Sequence, residues 1–152
     1  MTTPEDSAHG LLEVVPLVMR DIGSEMRNRR SPDLTVPQFR ALGFVNRNHG
    51  SSLSEVANHM GLTPPSTCRL VDGLIARGMM TRQDDPTDRR RIKLAVTPHG
   101  SEMLHRCAEG TLNHLADKLG GISNSEREII VRAMTALRSV FATKEQKRRG
   151  GK

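Results

Sequence analysis

The sequence predicts a mainly α-helical protein that contains one small β-hairpin. In several long segments the apolar residues recur every three or four positions, which is the period of one helix face. One segment near residue 94 instead alternates apolar and polar residues, as a strand does. Aromatic residues make up 2% of the chain, with no Trp or Tyr. Leu, Val, Ile, Met and Ala must therefore fill the core, and this favours helix packing.

The first predicted helix covers residues 7–29. Pro16 lies inside this segment and should kink the helix or break its first turns, because proline removes a helical hydrogen bond. The residues RRSPDLT, at 29–35, should then end the helix. Its apolar positions, at spacings of three and four, are Leu11, Leu12, Val15, Val18, Met19, Ile22 and Met26.

Two further helices are predicted from their capping residues. Thr35 can cap a second helix that has Pro37 in its first turn. A short third helix should begin with a capping box made by Ser52 and Glu55. Gly61 should stop this third helix, since glycine readily adopts the backbone conformation that follows a helix end.

The fourth helix should begin immediately afterwards and form a pair with the third. Thr63 can cap it, Pro64 can occupy its first position, and Gly78 can end it. Two short helices joined by residues 60–62 are typical of a helix-turn-helix. The residues of the fourth helix expected to face inward are Thr67, Leu70, Val71 and Leu74.

A β-hairpin is predicted directly after this pair. Its strands are expected at residues 79–83 and 92–97, on either side of a charged tip that contains DDPTDRRR. The hairpin makes the predicted arrangement a winged helix-turn-helix.

The last third of the chain is predicted to be helical. A long helix after residue 100 should end at Gly120–Gly121, and Ser123 with Glu126 should form a capping box for the final helix. The basic tail is expected to be disordered. The predicted organisation is an N-terminal helix at 1–34, a winged helix-turn-helix lobe at 35–98, C-terminal helices at 99–143 and the tail at 144–152.

Composition restricts the possible partners and compartments. The formal net charge of +6 and the pI of about 10.1 suggest a polyanion partner. No apolar run reaches the roughly 18 residues that cross a bilayer, and the first ten residues lack the pattern of a signal peptide. We therefore expect a cytoplasmic protein without membrane contact. Cys68 and Cys107 do not suggest a disulfide framework, and no cofactor is indicated.

The inward stripe of the fourth helix determines which of its side chains can reach DNA. A B-form major groove is wide enough for such a helix, and the helix N-terminus brings free N–H groups near phosphate. Ser66 and Arg69 can donate to base edges or phosphates, although Arg69 could instead pair with Asp72. The residues expected to face outward or lie at the border are Pro65, Ser66, Cys68, Arg69, Asp72 and Gly73.

The hairpin tip would bring positive charge beside the fourth helix. Arg89, Arg90 and Arg91 can reach the minor groove or its phosphates, because narrow minor grooves attract guanidinium groups. We expect Asp88 to accept hydrogen bonds from an arginine or from backbone N–H groups. Together with Pro86 it would stiffen the tip and reduce the entropy lost on binding.

These residues resemble a known family. The stretch from Ser52 to Gly100, with RLVDGL, RGMMTR, DPTDRRR and TPHG in order, is similar to the DNA-binding core of the MarR family of bacterial and archaeal transcriptional regulators. LTVPQFRAL at 34–42 is similar to the entry of the family's second helix. The resemblance spans roughly residues 10–142, and the motif at the hairpin tip is its most specific part.

The resemblance implies an obligate homodimer that reads a palindromic operator in double-stranded DNA, with interleaved N- and C-terminal helices. It matches Asp88 and Arg90 to the family's wing aspartate and groove-inserting arginine. Cys68 stands where a small polar residue is usual, and Gly73 where arginine is frequent. The residues that match the start of the family's recognition helix are Pro64, Pro65, Ser66, Thr67 and Arg69.

The resemblance also implies a small aromatic or phenolic effector bound between the dimer region and the DNA lobe. Arg20 and His49 could border such a pocket. Oxidation of Cys68 would add bulk or charge at the DNA face, whereas Cys107 is expected in the core. No metal site is expected: a solvated surface explains the shared helix face of Glu102, His105 and Glu109 better than a metal site does.

The leading hypothesis is a homodimeric, sequence-specific DNA-binding regulator, a repressor, whose affinity an effector modulates. Two alternatives remain open: a basic architectural DNA-binding dimer without an effector, and a redox-responsive regulator that uses Cys68. The chain is not expected to be an enzyme, because it has no nucleophile–base arrangement, no paired carboxylates in a pocket signature and no phosphate-binding glycine loop.

Overall fold

Six helices and one two-stranded antiparallel hairpin are present in the computed structural model of the protein, which describes residues 1–29, 34–88 and 92–142. The predicted mainly helical fold is therefore confirmed. Contacts divide the chain into two units, with the division after Leu112 inside the fifth helix. The elements are α1 (Pro4–Asn28), α2 (Val36–Arg47), α3 (Leu53–Met60), α4 (Pro64–Ala76), β1 (Met80–Asp84), β2 (Ile92–Val96), α5 (Pro98–Leu119) and α6 (Asn124–Phe141).

Helix α1 differs from its prediction in two ways. It begins at Pro4, because Thr3 and Asp6 form a capping box that the apolar pattern did not reveal. The hydrogen bonds from the backbone and side chain of Thr3 lower the pKa of Asp6. The helix continues through Pro16, so the predicted break is wrong.

The other caps follow the predictions closely. Thr35 begins α2 with a capping box to Gln38, and Ser123–Glu126 forms the predicted box of α6. For α3, the Glu55 N–H donates to the Ser52 hydroxyl at 3.1 Å. The reciprocal bond from the Ser52 N–H to the Glu55 carboxylate does not occur among the described residues, so only half of that predicted box forms.

Aliphatic side chains fill the core of the first unit, as the composition predicts. At its edge the rings of Phe44 and His59 stack with centroids 4.3 Å apart, which joins α2 to α3. Burial lowers the pKa of His59, and the nearby charges of Arg40 and Arg47 lower it further. The buried apolar residues include Leu34, Leu42, Val45, Val56, Val71, Leu74, Met79, Met80, Leu94 and Cys107.

Arg29, directly after α1, joins that helix to α5. Its guanidinium binds the Glu25 carboxylate through two 2.8 Å hydrogen bonds. The same group donates to the Thr111 hydroxyl at 3.1 Å. It lies against Gly110, where an added Cβ would be only 2.7 Å from the guanidinium. Gly110 therefore leaves space on the surface of α5, and the Arg29 side chain fills that space.

The hairpin is attached to the turn between α2 and α3. In the antiparallel register Arg82 lies opposite Leu94. The Leu94 N–H donates to the carbonyl of Ser51 at 2.9 Å, and the Gly50 N–H donates to the carbonyl of Leu94 at 3.1 Å. This additional bridge was not predicted from the sequence, and it holds the middle of β2 against the lobe.

The base of the hairpin is held by the start of α5. The Thr97 hydroxyl donates to the carbonyl of Gly78 at 2.6 Å and accepts from the Gly100 N–H at 3.0 Å. Gly100 lies so close to the chain that an added Cβ would be 2.1 Å from the Met79 carbonyl oxygen. Residues with a side chain at position 100 cannot approach this closely, so the junction requires glycine.

The second unit contains the end of α5 and the whole of α6. Arg127 donates to the carbonyls of Leu119 and Ile122, at 3.2 and 2.5 Å, and so fixes the connecting turn. None of the 18 residues of α6 is buried, although the helix carries the predicted apolar stripe. No helix among the described residues is long and apolar enough to span a membrane.

Gly100→Ala should destabilise the protein, because the new methyl group would collide with a backbone carbonyl that cannot rotate away. Overpacking of this kind costs about 1–3 kcal/mol, measured as the loss in free energy of unfolding by urea denaturation. Gly10→Ala in α1 is the matched control. An added Cβ there has nothing within 4 Å, so alanine should stabilise the helix by roughly 0.5–1 kcal/mol. Equal effects of the two changes would contradict the close approach at Gly100.

Candidate nucleic-acid interface

Helices α3 and α4 form the predicted helix-turn-helix. Gly61 follows α3 with a φ of 67°, in the left-handed region that favours glycine. Thr63 then caps α4 and accepts from the Ser66 N–H at 3.4 Å. Pro64 occupies the first turn, where its missing N–H leaves no helical bond unmade. The N-terminus of α4 is exposed at the surface of the lobe.

The two faces of α4 follow the prediction, with one exception that matters for function. Pro64, Pro65 and Arg69 are exposed, while Ser66 and Cys68 are half-buried. Thr67 was expected both to face inward and to contact DNA. It is fully buried and its hydroxyl donates to the Thr63 carbonyl at 2.9 Å, so its side chain belongs to the core.

Asp72 does not neutralise Arg69. Its carboxylate instead accepts from the Arg82 guanidinium of β1 at 2.5 Å. Within the described residues Arg69 makes no ion pair and no side-chain hydrogen bond. An exposed guanidinium therefore stands on the outer face of α4, one turn from its N-terminus.

Asp85 organises the base of the hairpin tip. Its carboxylate accepts from the Thr87 hydroxyl at 2.7 Å and from the Thr87 N–H at 2.9 Å. These two bonds lower the pKa of Asp85, and Lys93 and the Asp88 N–H contribute to the same shift. The Lys93 ammonium lies 3.8 Å away, and only 7% of the Asp85 side chain is exposed.

The sequence analysis gave a stiffening role to Asp88, which stays a prediction; the described contacts show that Asp85 holds the base of the tip. Asp88 is exposed and supplies its backbone N–H to the Asp85 carboxylate. An aspartate two residues before a threonine is a known turn signal, so the pattern Asp85-Pro86-Thr87 could have been recognised. Arg89, Arg90 and Arg91 lie outside the described residues.

The two residues suggested for an effector pocket are both exposed, and their role stays a prediction. Arg20 is exposed on α1, and His49 is exposed in the turn after α2. Neither side chain makes an ion pair among the residues of the described ranges. In the same ranges no group of three or more His, Cys, Asp or Glu residues is placed to hold a metal ion.

Comparisons with known proteins show what the chain resembles. A family model described as "MarR family" matches residues 33–91. The crystal structure of RV1404 from Mycobacterium tuberculosis is similar over 92% of this chain and 95% of its own, with a TM-score of 0.77 and 26% identity. Residues 33–91, from just before α2 to the hairpin, therefore resemble the MarR family of transcriptional regulators. This is not a family of enzymes.

Two further comparisons show similarity to part of the chain and to its fold. The uncharacterised HTH-type transcriptional regulator YhbI of Bacillus subtilis is 33% identical over 76 residues, half of this chain and 49% of that protein. This chain thus spans about half the length of that curated relative. Streptococcus pneumoniae FabT, solved in complex with DNA, has the same fold, with a TM-score of 0.69 and 16% identity over 91% of this chain and 96% of its own.

Asp85→Ala should loosen the hairpin tip, because the Thr87 N–H loses its acceptor. Hydrogen exchange followed by NMR should show faster exchange at this amide. Asp85→Asn is the matched control, since its side-chain oxygen can still accept and should retain most of the protection. The depressed pKa means that the contribution is complete at neutral pH and is lost only as the pH falls below about 4. Unchanged exchange in the alanine variant would contradict this role.

Proposed function

We propose that this protein is a homodimer that binds specific sites in double-stranded DNA and represses transcription. The observation that carries the proposal is the outer face of α4, where Arg69 is exposed and makes no ion pair among the described residues. Such a face fits a major groove, and arginine can bind guanine through two hydrogen bonds. The net charge of +6 supports a polyanion partner. The protein would act in the cytoplasm, on chromosomal DNA.

The proposed contacts fall into two groups. On α4, Ser66 and Arg69 donate to bases or phosphates, while Pro64, Pro65 and Cys68 lie along the groove wall. At the hairpin tip, Arg89, Arg90 and Arg91 enter the minor groove, with Asp88 beside them. Thr67 is excluded from the contacting set because its side chain is buried.

Selection of bound duplexes from a library of randomised 30-base-pair DNA tests this function. A two-fold dimer should enrich inverted repeats with half-sites about 10–10.5 base pairs apart. With roughly 6–10 phosphate contacts, affinity should fall by about 10³–10⁵ between about 50 and 200 mM salt. Failure to enrich any sequence would remove the claim of specific recognition.

The alternative function, an architectural DNA-binding protein, predicts a different ratio between the affinities for the selected duplex and for a random duplex. A protein that reads only DNA shape should bind the selected duplex and a random duplex with similar affinity. A ratio below about 10³ would favour that role, because specific regulators typically exceed it. The outward Arg69 favours specific reading, since phosphate contacts alone carry no sequence information.

The homodimer is supported by apolar surface that a single chain leaves uncovered. Large exposed apolar patches on soluble proteins mark interaction surfaces. Every described residue of α6 is at least partly exposed. The exposed apolar residues on α1 are Leu12, Val14, Val15, Leu17, Val18 and Met19, and those on α5 and α6 are Leu112, Leu119, Ile129, Val131, Met134, Val140 and Phe141.

Control by a small aromatic or phenolic effector is a proposal supported by the family alone. Arg20 and His49 remain the candidate lining residues. The redox alternative through Cys68 is separable: peroxide treatment should weaken DNA binding of the wild type and leave Cys68→Ser unaffected. Cys107 is 1% exposed, so it is poorly placed to react first.

Arg69→Ala should lower the preference for the selected duplex by about 1–3 kcal/mol, the discrimination provided by one good bidentate contact. Fluorescence anisotropy with the selected and a random duplex measures it. Arg106→Ala removes the same charge from an exposed pair on α5, 3.2 Å from Glu102, and should leave the preference unchanged. Equal weakening on both duplexes would restrict Arg69 to phosphate contact.

Ile129→Asp should dissociate the proposed dimer, because a carboxylate would enter its apolar interface. Light scattering should show the mass fall from about twice the chain mass of 16.8 kDa to that of one chain. Ser125→Asp adds the same group to an exposed position in the first turn of α6 and should remain dimeric. A wild-type protein of one chain mass at micromolar concentration would refute the dimer.

A further inference from the structure

The ion pair between Asp72 and Arg82 joins the two parts of the proposed DNA interface. The Arg82 guanidinium lies 2.5 Å from the Asp72 carboxylate, and the two side chains are 37% and 61% exposed. Arg82 occupies the middle of β1, two residues after the buried Met80. Alternation along a strand places these two side chains on the same face, so Arg82 is directed towards the lobe.

The position of Asp72 on α4 allows its carboxylate to compete with DNA for the Arg69 guanidinium. It follows Arg69 by three residues, so the two side chains are neighbours on the helix surface. A carboxylate that paired with Arg69 would occupy the donors that a base must receive. Arginine placed before the acid is the poorer order for a pair within a helix. A guanidinium from another element can therefore compete well for Asp72.

We propose that Arg82 is a positioning residue that holds Asp72 away from Arg69 and so determines how strongly the protein discriminates between DNA sequences. The inference rests on the function proposed above and deepens it. Arg82 need not touch DNA in this role. By binding Asp72, Arg82 leaves the Arg69 guanidinium without an acidic partner, and Arg69 has none among the described residues.

The test compares wild type, Arg82→Ala, Asp72→Asn and the double variant. The probes are a duplex selected by the wild type from the randomised library and a random duplex of equal length. Arg82→Ala should lower the affinity ratio roughly tenfold, because the freed Asp72 then occupies Arg69. Asp72→Asn should keep the ratio. The double variant should recover it, since the amide cannot form an ion pair with Arg69.

A direct phosphate contact by Arg82 predicts the opposite pattern. Affinity for both duplexes would then fall together, the salt slope would decrease by about one, and Asp72→Asn would not rescue the loss. That result would overturn the proposal. Arg106→Ala controls for the loss of one positive charge. Circular dichroism melting controls for folding, and the exposed pair should contribute little to stability.

A second measurement separates this inference from the proposed function. If the wild type prefers no duplex, specific recognition fails, yet the positioning role can still be judged in a crystal structure of Arg82→Ala without DNA. An Asp72 oxygen within about 3 Å of the Arg69 guanidinium would support the proposal. An Asp72 carboxylate that stays away from Arg69 in that structure would refute it.

Discussion

The close approach of Gly100 to the Met79 carbonyl joins the helix-turn-helix, the hairpin and the start of α5. At this point the end of α4, the start of β1 and the start of α5 meet, and the Thr97 hydroxyl bridges them. A two-stranded hairpin is marginally stable alone. This one is fixed at its base by that junction and in its middle by the bridge to Ser51.

In the proposed interface the carboxylates of Asp72 and Asp85 are already paired, whereas Arg69 makes no ion pair among the described residues. Asp72 is held by Arg82, and Asp85 is occupied by Thr87 and Lys93. A carboxylate facing a phosphate would repel it, whereas a carboxylate that is already paired repels it less. The proposed interface can therefore include Asp72 and Asp85 and still present Arg69 without an ion pair among the described residues.

Local patterns predicted most of the fold. Helix starts at Thr35, Thr63 and Ser123 could be read from the chain, because a cap depends on residues within one turn. The partner of Asp72 could not, since Arg82 is ten residues away on another element and Arg69 was the nearer candidate by spacing. The Ser51 bridge was missed for the same reason: it joins segments more than forty residues apart, and no local signal marks it.

The contact of the Arg29 guanidinium with Gly110 fixes the position of α1 along α5. Only a residue without a side chain leaves room there for a guanidinium, and Gly100, the other glycine of α5, is occupied by the Met79 backbone. Sliding α1 along α5 would therefore drive the arginine into side chains and break its bond to Thr111.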